Sequence, residues 1–456
     1  MSQTSRQSLR PALLSLVLVL LLLAGGGLAA APKPAAPLPE GVAPLPAASA
    51  QHMQTLLAAA ERYRGLHARA PIPAGTLEEA GLKKKLLESM RQHLKPESLR
   101  AAEASLKAFG LIPETMDLAR YLPELLTSQV AGYYDTERKY LAMVRRGGAA
   151  GKEGADDDDM VLVHELTHAL QDQSFDLENL EKDDDPLSDA GTAVTALVEG
   201  DATLTMIDYQ AQTSLEKTPG ADRLISSLLA DPDKLAQSMP DLPGAGQFAQ
   251  APEWLRDNLL FGYLQGMTFC MSVRSRGGQK LLDYAFTTDP PRSTEQILHP
   301  EKWHTHRDDP VVVHLPDLAA DLPGYRKAAE GGMGELSIRS LLHAGGVEWE
   351  RAGAAAEGWG GDRFAVYEKQ GGGRLLVWVS EWDTETDAQE LQVALAGLGA
   401  GWQVAGVAPR RVVAIRGDLA AERRETVRAR LAATPAERPA NRDLDLVAIG
   451  AKPAAP

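Results

Sequence analysis

The segment DDDDMVLVHELTHALQDQ (156–173) places His164 and His168 four positions apart, with Glu165 directly after the first histidine. On an α-helix, positions i and i+4 lie about 40° apart around the axis and one turn apart along it, so both imidazoles face one point. Two neutral imidazoles at that spacing can hold Zn²⁺ at about 2.0–2.1 Å. Glu165 stands close enough to handle a metal-bound water without itself being a ligand. The chemistry implied is hydrolysis by a zinc-activated water. With this chain's own histidine content, chance produces the pattern on the order of one time in a hundred. Val161, Val163, Leu166, Ala169 and Leu170 supply the apolar positions such a helix needs. The aspartate run 156–159 supplies an N-cap and favourable charge at the positive helix end.

A catalytic zinc needs a third protein ligand and an open position for water. Downstream, AVTALVEGDATLTMIDYQ (193–210) reads as a helix, with Glu199 beside Ala196, Leu197 and Val198. A carboxylate among such neighbours is costly to bury unless it is paired or bound to metal, which makes Glu199 the candidate third ligand. Asp201 is its rival. It lies two residues on, about 200° around the helix, so only one of the two can face the metal. Thr195 and Thr203 share the Glu199 face and are candidate partners for the ligands. The expectation is one Zn²⁺ per chain.

HELTH on one helix and a glutamate inside ALVEGDA on the next resemble the gluzincins, the thermolysin-like clan of zinc metallopeptidases. The resemblance covers roughly residues 125–305. It implies a zincin-like domain in which His164, His168 and Glu199 bind zinc, and Glu165 is general base and then proton donor. It also implies a strand hairpin just before the active helix, whose edge strand holds the substrate by β-augmentation. The spacing from His168 to Glu199 is longer than in thermolysin itself. Members of the clan stabilise the tetrahedral oxyanion with a Tyr or His outside the metal shell. Candidates here are His299, in PPRSTEQILHPEKW (290–303), and Tyr263. Ser293 and Gln296 form an S-x-x-Q capping box, so His299 falls in the last turn of a short helix, where its charge would also complement the helix C-terminus. His304 and His306 offer a second metal site but read rather as exposed loop histidines. The acidic runs 156–159 and 183–185 offer Ca²⁺ sites but lack calcium-loop spacing and read rather as solvated faces.

The fold class that must position these residues is α+β. It has a mostly helical zincin-like catalytic domain over residues 51–330, preceded at its active helix by a β-hairpin, and a smaller C-terminal α+β domain over 331–434. QVAGYYDTERKYLAMV (129–144) alternates on both sides of DTER, which predicts the hairpin. Helices are predicted over 159–173, 187–213 and 253–275, the last apolar all round and therefore buried. Cys270 sits inside it and reads as a structural thiol. Beyond residue 330, strands at 363–369, 375–382, 402–407 and 410–416 and helices at 383–398 and 419–433 predict a β-β-α-β-β-α unit. Phe364, Val366, Leu376, Val377, Val379, Trp382, Val404, Val412, Val413 and Ile415 are expected to seed its own core. Residues 435–456 read as a flexible tail.

The N-terminus reads as an address. Arg6 and Arg10, the apolar run LVLVLLLL (16–23) and small residues at 25–31 form the three parts of a secretory signal over 1–29. The rival reading is an uncleaved membrane anchor. Pro- and Ala-rich residues 30–50 read as a linker. No later stretch is long and apolar enough to span a membrane. A net charge of −15 argues against nucleic acid as a partner, because phosphate binding needs clustered Lys and Arg. A single cysteine excludes a disulfide framework and any Cys-rich metal site.

These features together predict a secreted or periplasmic zinc metallopeptidase acting on peptide or protein substrates. The competing class is a catalytically inactive zinc-binding protein serving as an extracytoplasmic binding or scaffold module.

Overall fold

The computed structural model describes residues 37–93, 95–145, 155–181, 188–217, 233–234, 246–399, 401–440 and 443–451. The signal region 1–29 and the acidic run 183–185 lie outside them.

The N-terminal half begins with β1 (Ala43–Pro44), α1 (Ala47–Arg64), β2 (Ala74–Glu78), α2 (Glu79–His93), α3 (Pro96–Phe109) and α4 (Leu118–Gln129). The hairpin β3 (Gly132–Asp135) and β4 (Tyr140–Arg145) follows where alternation predicts it. Its turn is held by Asp135, whose Oδ1 accepts from the Arg138 backbone N–H at 2.7 Å, while Lys139 takes a left-handed φ of 56°. The sheet order is β1-β2-β4-β3, with β2 parallel to β4 and the other pairs antiparallel. Strand β3 is therefore an edge.

Helices α5 (Ala155–Phe175), α6 (Leu177–Leu180) and α7 (Asp189–Lys217) come next, then α8 (Gly246–Ala249), α9 (Glu253–Thr287), α10 (Thr294–Leu298) and α11 (Glu301–His304). The predicted helix at 253–275 continues to Thr287 as two helices joined at Gly278, whose φ of 67° and ψ of −168° only glycine adopts readily. Helices α7 and α9 form a buried pair around Leu197, Phe269, Cys270 and Val273, so Cys270 is a core thiol as predicted. Val163, Leu166, Ala169 and Leu170 of α5 pack on Leu56 and Ala60 of α1. That packing turns the polar face of α5 toward α7.

The C-terminal half contains β5 (Val312–Val313), β6 (Tyr325–Gly331), α12 (Gly334–Ala344), α13 (Trp349–Ala356), β7 (Trp359–Lys369), β8 (Arg374–Trp382), α14 (Glu385–Gly397), β9 (Trp402–Ala408), β10 (Arg411–Gly417), α15 (Ala421–Ala432), β11 (Ala436–Glu437) and α16 (Leu446–Ile449). The predicted β-β-α-β-β-α order is present, preceded by β6, α12 and α13. Its five antiparallel strands are ordered β6-β7-β8-β10-β9. The fold class is α+β, as expected.

Three boundaries differ from the sequence reading. Helix α1 starts at Ala47 and Val42 is buried, so the second half of the 30–50 linker belongs to the body. The sheet begins at Tyr325, ahead of residue 331. The expected flexible tail is tied down: Ala436 and Glu437 pair with Val313 and Val312, and Leu444, Leu446 and Ile449 pack against the α7–α9 core. Nor does the sheet have a core wholly its own. Val377, Val379, Val413 and Ile415 on one face pack on Val427 and Leu431 of α15. On the other face Phe364 and Trp378 meet Phe109 of α3 edge to face, with ring centroids 5.0 and 5.6 Å away. No helix among the described residues is long and apolar enough to cross a membrane.

Candidate metal centre

His164 and His168 lie one turn apart on α5, and Glu199 faces them from the middle of α7. His164 Nε2 is 3.0 Å from His168 Nε2 and 3.1 Å from Glu199 Oε2. The third side of this triangle, His168 Nε2 to Glu199 Oε2, is 3.5 Å. Ligands at about 2.0–2.1 Å in a tetrahedron stand roughly 3.3 Å from one another, so these edges fit a zinc-sized ion. The second oxygen, Glu199 Oε1, is buried without a hydrogen-bond partner. Orphaned buried oxygens of this kind are rare unless something else binds them. The residues present therefore fit zinc.

Electrostatics agree with a cation site. Burial works against charge on Glu199, but His168 and His164 outweigh it and hold the carboxyl below its usual range. Burial likewise opposes a proton on His168, and Glu199 overcomes it and raises the imidazole. His164 is lowered by burial and then by His168. Glu165 differs from its neighbours. It is buried, its Oε2 has no partner, and burial pushes its carboxyl up to about 7 although His168 pulls the other way. The backbone N–H of Tyr134 donates to its carboxylate. Strand β3 approaches this closely because residue 132 is glycine. A Cβ there would lie 2.9 Å from Met143 Sδ and 3.4 Å from Glu165 Cγ.

The helix pair sets the depth of Glu199. A Cβ on Gly200 would stand 2.0 Å from the Gly266 carbonyl carbon, and one on Gly266 would stand 2.0 Å from the Ala196 oxygen. Helices α7 and α9 thus meet backbone to backbone, with Gly262 beside Glu199.

Asp201, the rival ligand, faces away from the cluster as helix geometry requires. Its Oδ2 accepts from Gln171 Nε2 at 2.8 Å and from Arg64 Nε at 2.5 Å. Thr203, expected beside the ligands, has a buried hydroxyl with no partner. The aspartate run 156–159 lies within α5 rather than ahead of it, and Asp159 pairs with His52 at 2.6 Å. Sequence reasoning passed over the residues just after the motif. Gln171 Oε1 lies 2.8 Å from His168 Nδ1. Asp172 accepts from the Tyr134 hydroxyl at 2.8 Å and from Lys139 Nζ at 2.9 Å, tying the hairpin to α5. Gln173 accepts from the backbone N–H groups of Arg69 and Ala70. The signal was there to read: three polar residues, Gln171, Asp172 and Gln173, directly follow the apolar pair Ala169 and Leu170 on the same helix.

Of the two oxyanion candidates, the structure brings one to the cluster. The Tyr263 ring stacks on His164, with centroids 5.8 Å apart and planes at 28°. His299 is engaged elsewhere. Its Nε2 lies 2.9 Å from Glu335 of α12. Its helix α10 is anchored through Thr294 to Asp189, at the start of α7, about 15 Å along the helix from Glu199. His304, expected in an exposed loop, is instead buried as the last residue of α11 and pairs with Ser272 at 3.0 Å. The other acidic group, Glu295, Asp308 and Asp383, surrounds Lys302, which supplies its positive charge.

Compared with known proteins, residues 323–446 match a family model described as a domain of unknown function, DUF8575. The match covers the C-terminal sheet and its helices and leaves His164, His168 and Glu199 outside. No curated protein and no solved structure matches the chain.

Proposed function

We propose that this protein is an extracytoplasmic zinc metallopeptidase that hydrolyses peptide bonds. The observation that carries the reading is the convergence of His164 Nε2, His168 Nε2 and Glu199 Oε2 beside Glu165, whose free oxygen is buried and unpartnered. Zinc held there supplies Lewis acidity toward a carbonyl oxygen and lowers the pKa of a bound water. Glu165, lifted by burial to about 7, is poised to take a proton from the attacking water and return it to the leaving amine. Tyr263, stacked on His164, is the candidate for steadying the oxyanion. Strand β3, last in its sheet, is joined to Glu165 through the Tyr134 N–H and so fixes the general base relative to the hairpin. The basic, apolar and small-residue order at 1–29 supports an extracytoplasmic address.

An inactive zinc-binding module would call for a closed site with four protein ligands. Among the described residues the group contains three. Metal analysis of the purified protein tests the reading. About one zinc per chain is expected, lost in His164→Ala and His168→Ala; a folded protein without affinity for zinc would end it.

A further inference from the structure

We propose that Arg64 of α1 is a positioning residue for the metal centre, acting through Asp201 and Gln171 to fix His168 as a ligand. The inference rests on the metal reading above and extends it to a helix far outside the motif. The amide of Gln171 can sit only one way round. Its Nε2 donates to Val198 O at 3.0 Å and to Asp201 Oδ2 at 2.8 Å, and both of those atoms only accept. Its Oε1 therefore faces His168 Nδ1, 2.8 Å away, and can only accept there. His168 must donate from Nδ1, which in the neutral ring leaves the Nε2 lone pair aimed at His164 Nε2 and Glu199. The protein thus selects the tautomer that binds metal.

Asp201 in turn is held by a cation that has little freedom to move. Arg64 is buried, and its guanidinium lies 5.6 Å from the ring centroids of both Phe175 and Phe286. Nε reaches Asp201 at 2.5 Å, while Nη1 reaches Asp283 Oδ1 at 2.8 Å. The chain of contacts runs Asp283, Arg64, Asp201, Gln171, His168, and it crosses α9, α1, α7 and α5. A charge-anchored amide accepts more strongly than a free one, because its N–H groups are polarised by the carboxylate. Outer partners of this kind fix ligand orientation and raise ligand basicity.

The test uses the full mature chain and Zn²⁺ itself, with affinity read by chelator competition. Gln171→Leu should weaken zinc binding about 10–100-fold, and Arg64→Met should weaken it in the same direction. Asp201→Asn, which keeps an acceptor for Arg64 and removes the charge, carries the same expectation and serves if Arg64→Met does not fold. Gln173→Leu, whose bonds run only to Arg69 and Ala70, should lower stability and leave zinc affinity unchanged. Folded Gln171→Leu or Asp201→Asn protein with wild-type affinity would overturn the relay while the zinc reading stood. Should wild type bind no zinc, the metal reading falls, and ¹⁵N NMR of His168 in metal-free protein at alkaline pH still decides the relay. The Nδ1–H tautomer supports it and the Nε2–H tautomer overturns it.

Discussion

Gly200 and Gly266 touch backbone to backbone where α7 crosses α9, and Glu199 stands beside that contact. The crossing admits no side chain. Gly200→Ala should force the helices apart, displace Glu199 from the two histidines and cost stability by about 1–3 kcal/mol from overpacking. Denaturation together with zinc titration checks this. A variant of normal stability and normal zinc affinity would show that the crossing does not set the ligand.

The shared core makes a second prediction. Phe109 of α3 is wedged against Phe364 and Trp378 of the C-terminal sheet. Phe109→Ala should cost about 3–5 kcal/mol. A chain cut after Gly334 exposes that face of α3 and should fail to fold cooperatively. A truncated protein with a sharp thermal transition and intact zinc binding would contradict this, and would restore the independent domain that the sequence suggests.

A third prediction follows from Asp257 on α9. Burial pushes its carboxyl up to about 6, although the nearby Ser340 hydroxyl pulls the other way. An unfolded aspartate titrates near ~3.9. The folded chain therefore holds this proton more tightly, so its contribution to stability is full below ~4 and is lost as pH rises through about 6. Asp257→Asn should stabilise the protein by about 2 kcal/mol at pH 8 and by little at pH 4, after allowance for partial exposure. Equal effects at both values, in urea unfolding, would remove burial as the cause.

How far the sequence reveals this arrangement depends on how local each determinant is. His164, Glu165 and His168 follow from a helical repeat within five residues, whereas the next helix offers two carboxylates, Glu199 and Asp201, and only the fold shows that Glu199 faces the histidines. The hairpin and the C-terminal strands follow from alternation in the same way. Arg64 does not. It precedes Asp201 by 137 positions, and nothing near it in the chain marks it as buried. The apolar run LLVWVSEW announces a strand covered on both faces, yet only the fold shows that α3 is what covers one of them. His299 sits at the end of a capped helix as expected, but its carboxylate partner, Glu335, lies on a helix that no local pattern links to it.

The central claim is that Glu165 handles the proton in a zinc-dependent hydrolysis. Its most direct test is peptide-library cleavage, read by mass spectrometry, with zinc-loaded wild type and zinc-loaded Glu165→Gln protein side by side. Cleavage by wild type and its loss by at least about 100-fold in the variant, at equal zinc content, is the predicted result. Equal cleavage by both proteins, or none by the zinc-loaded wild type, would contradict it.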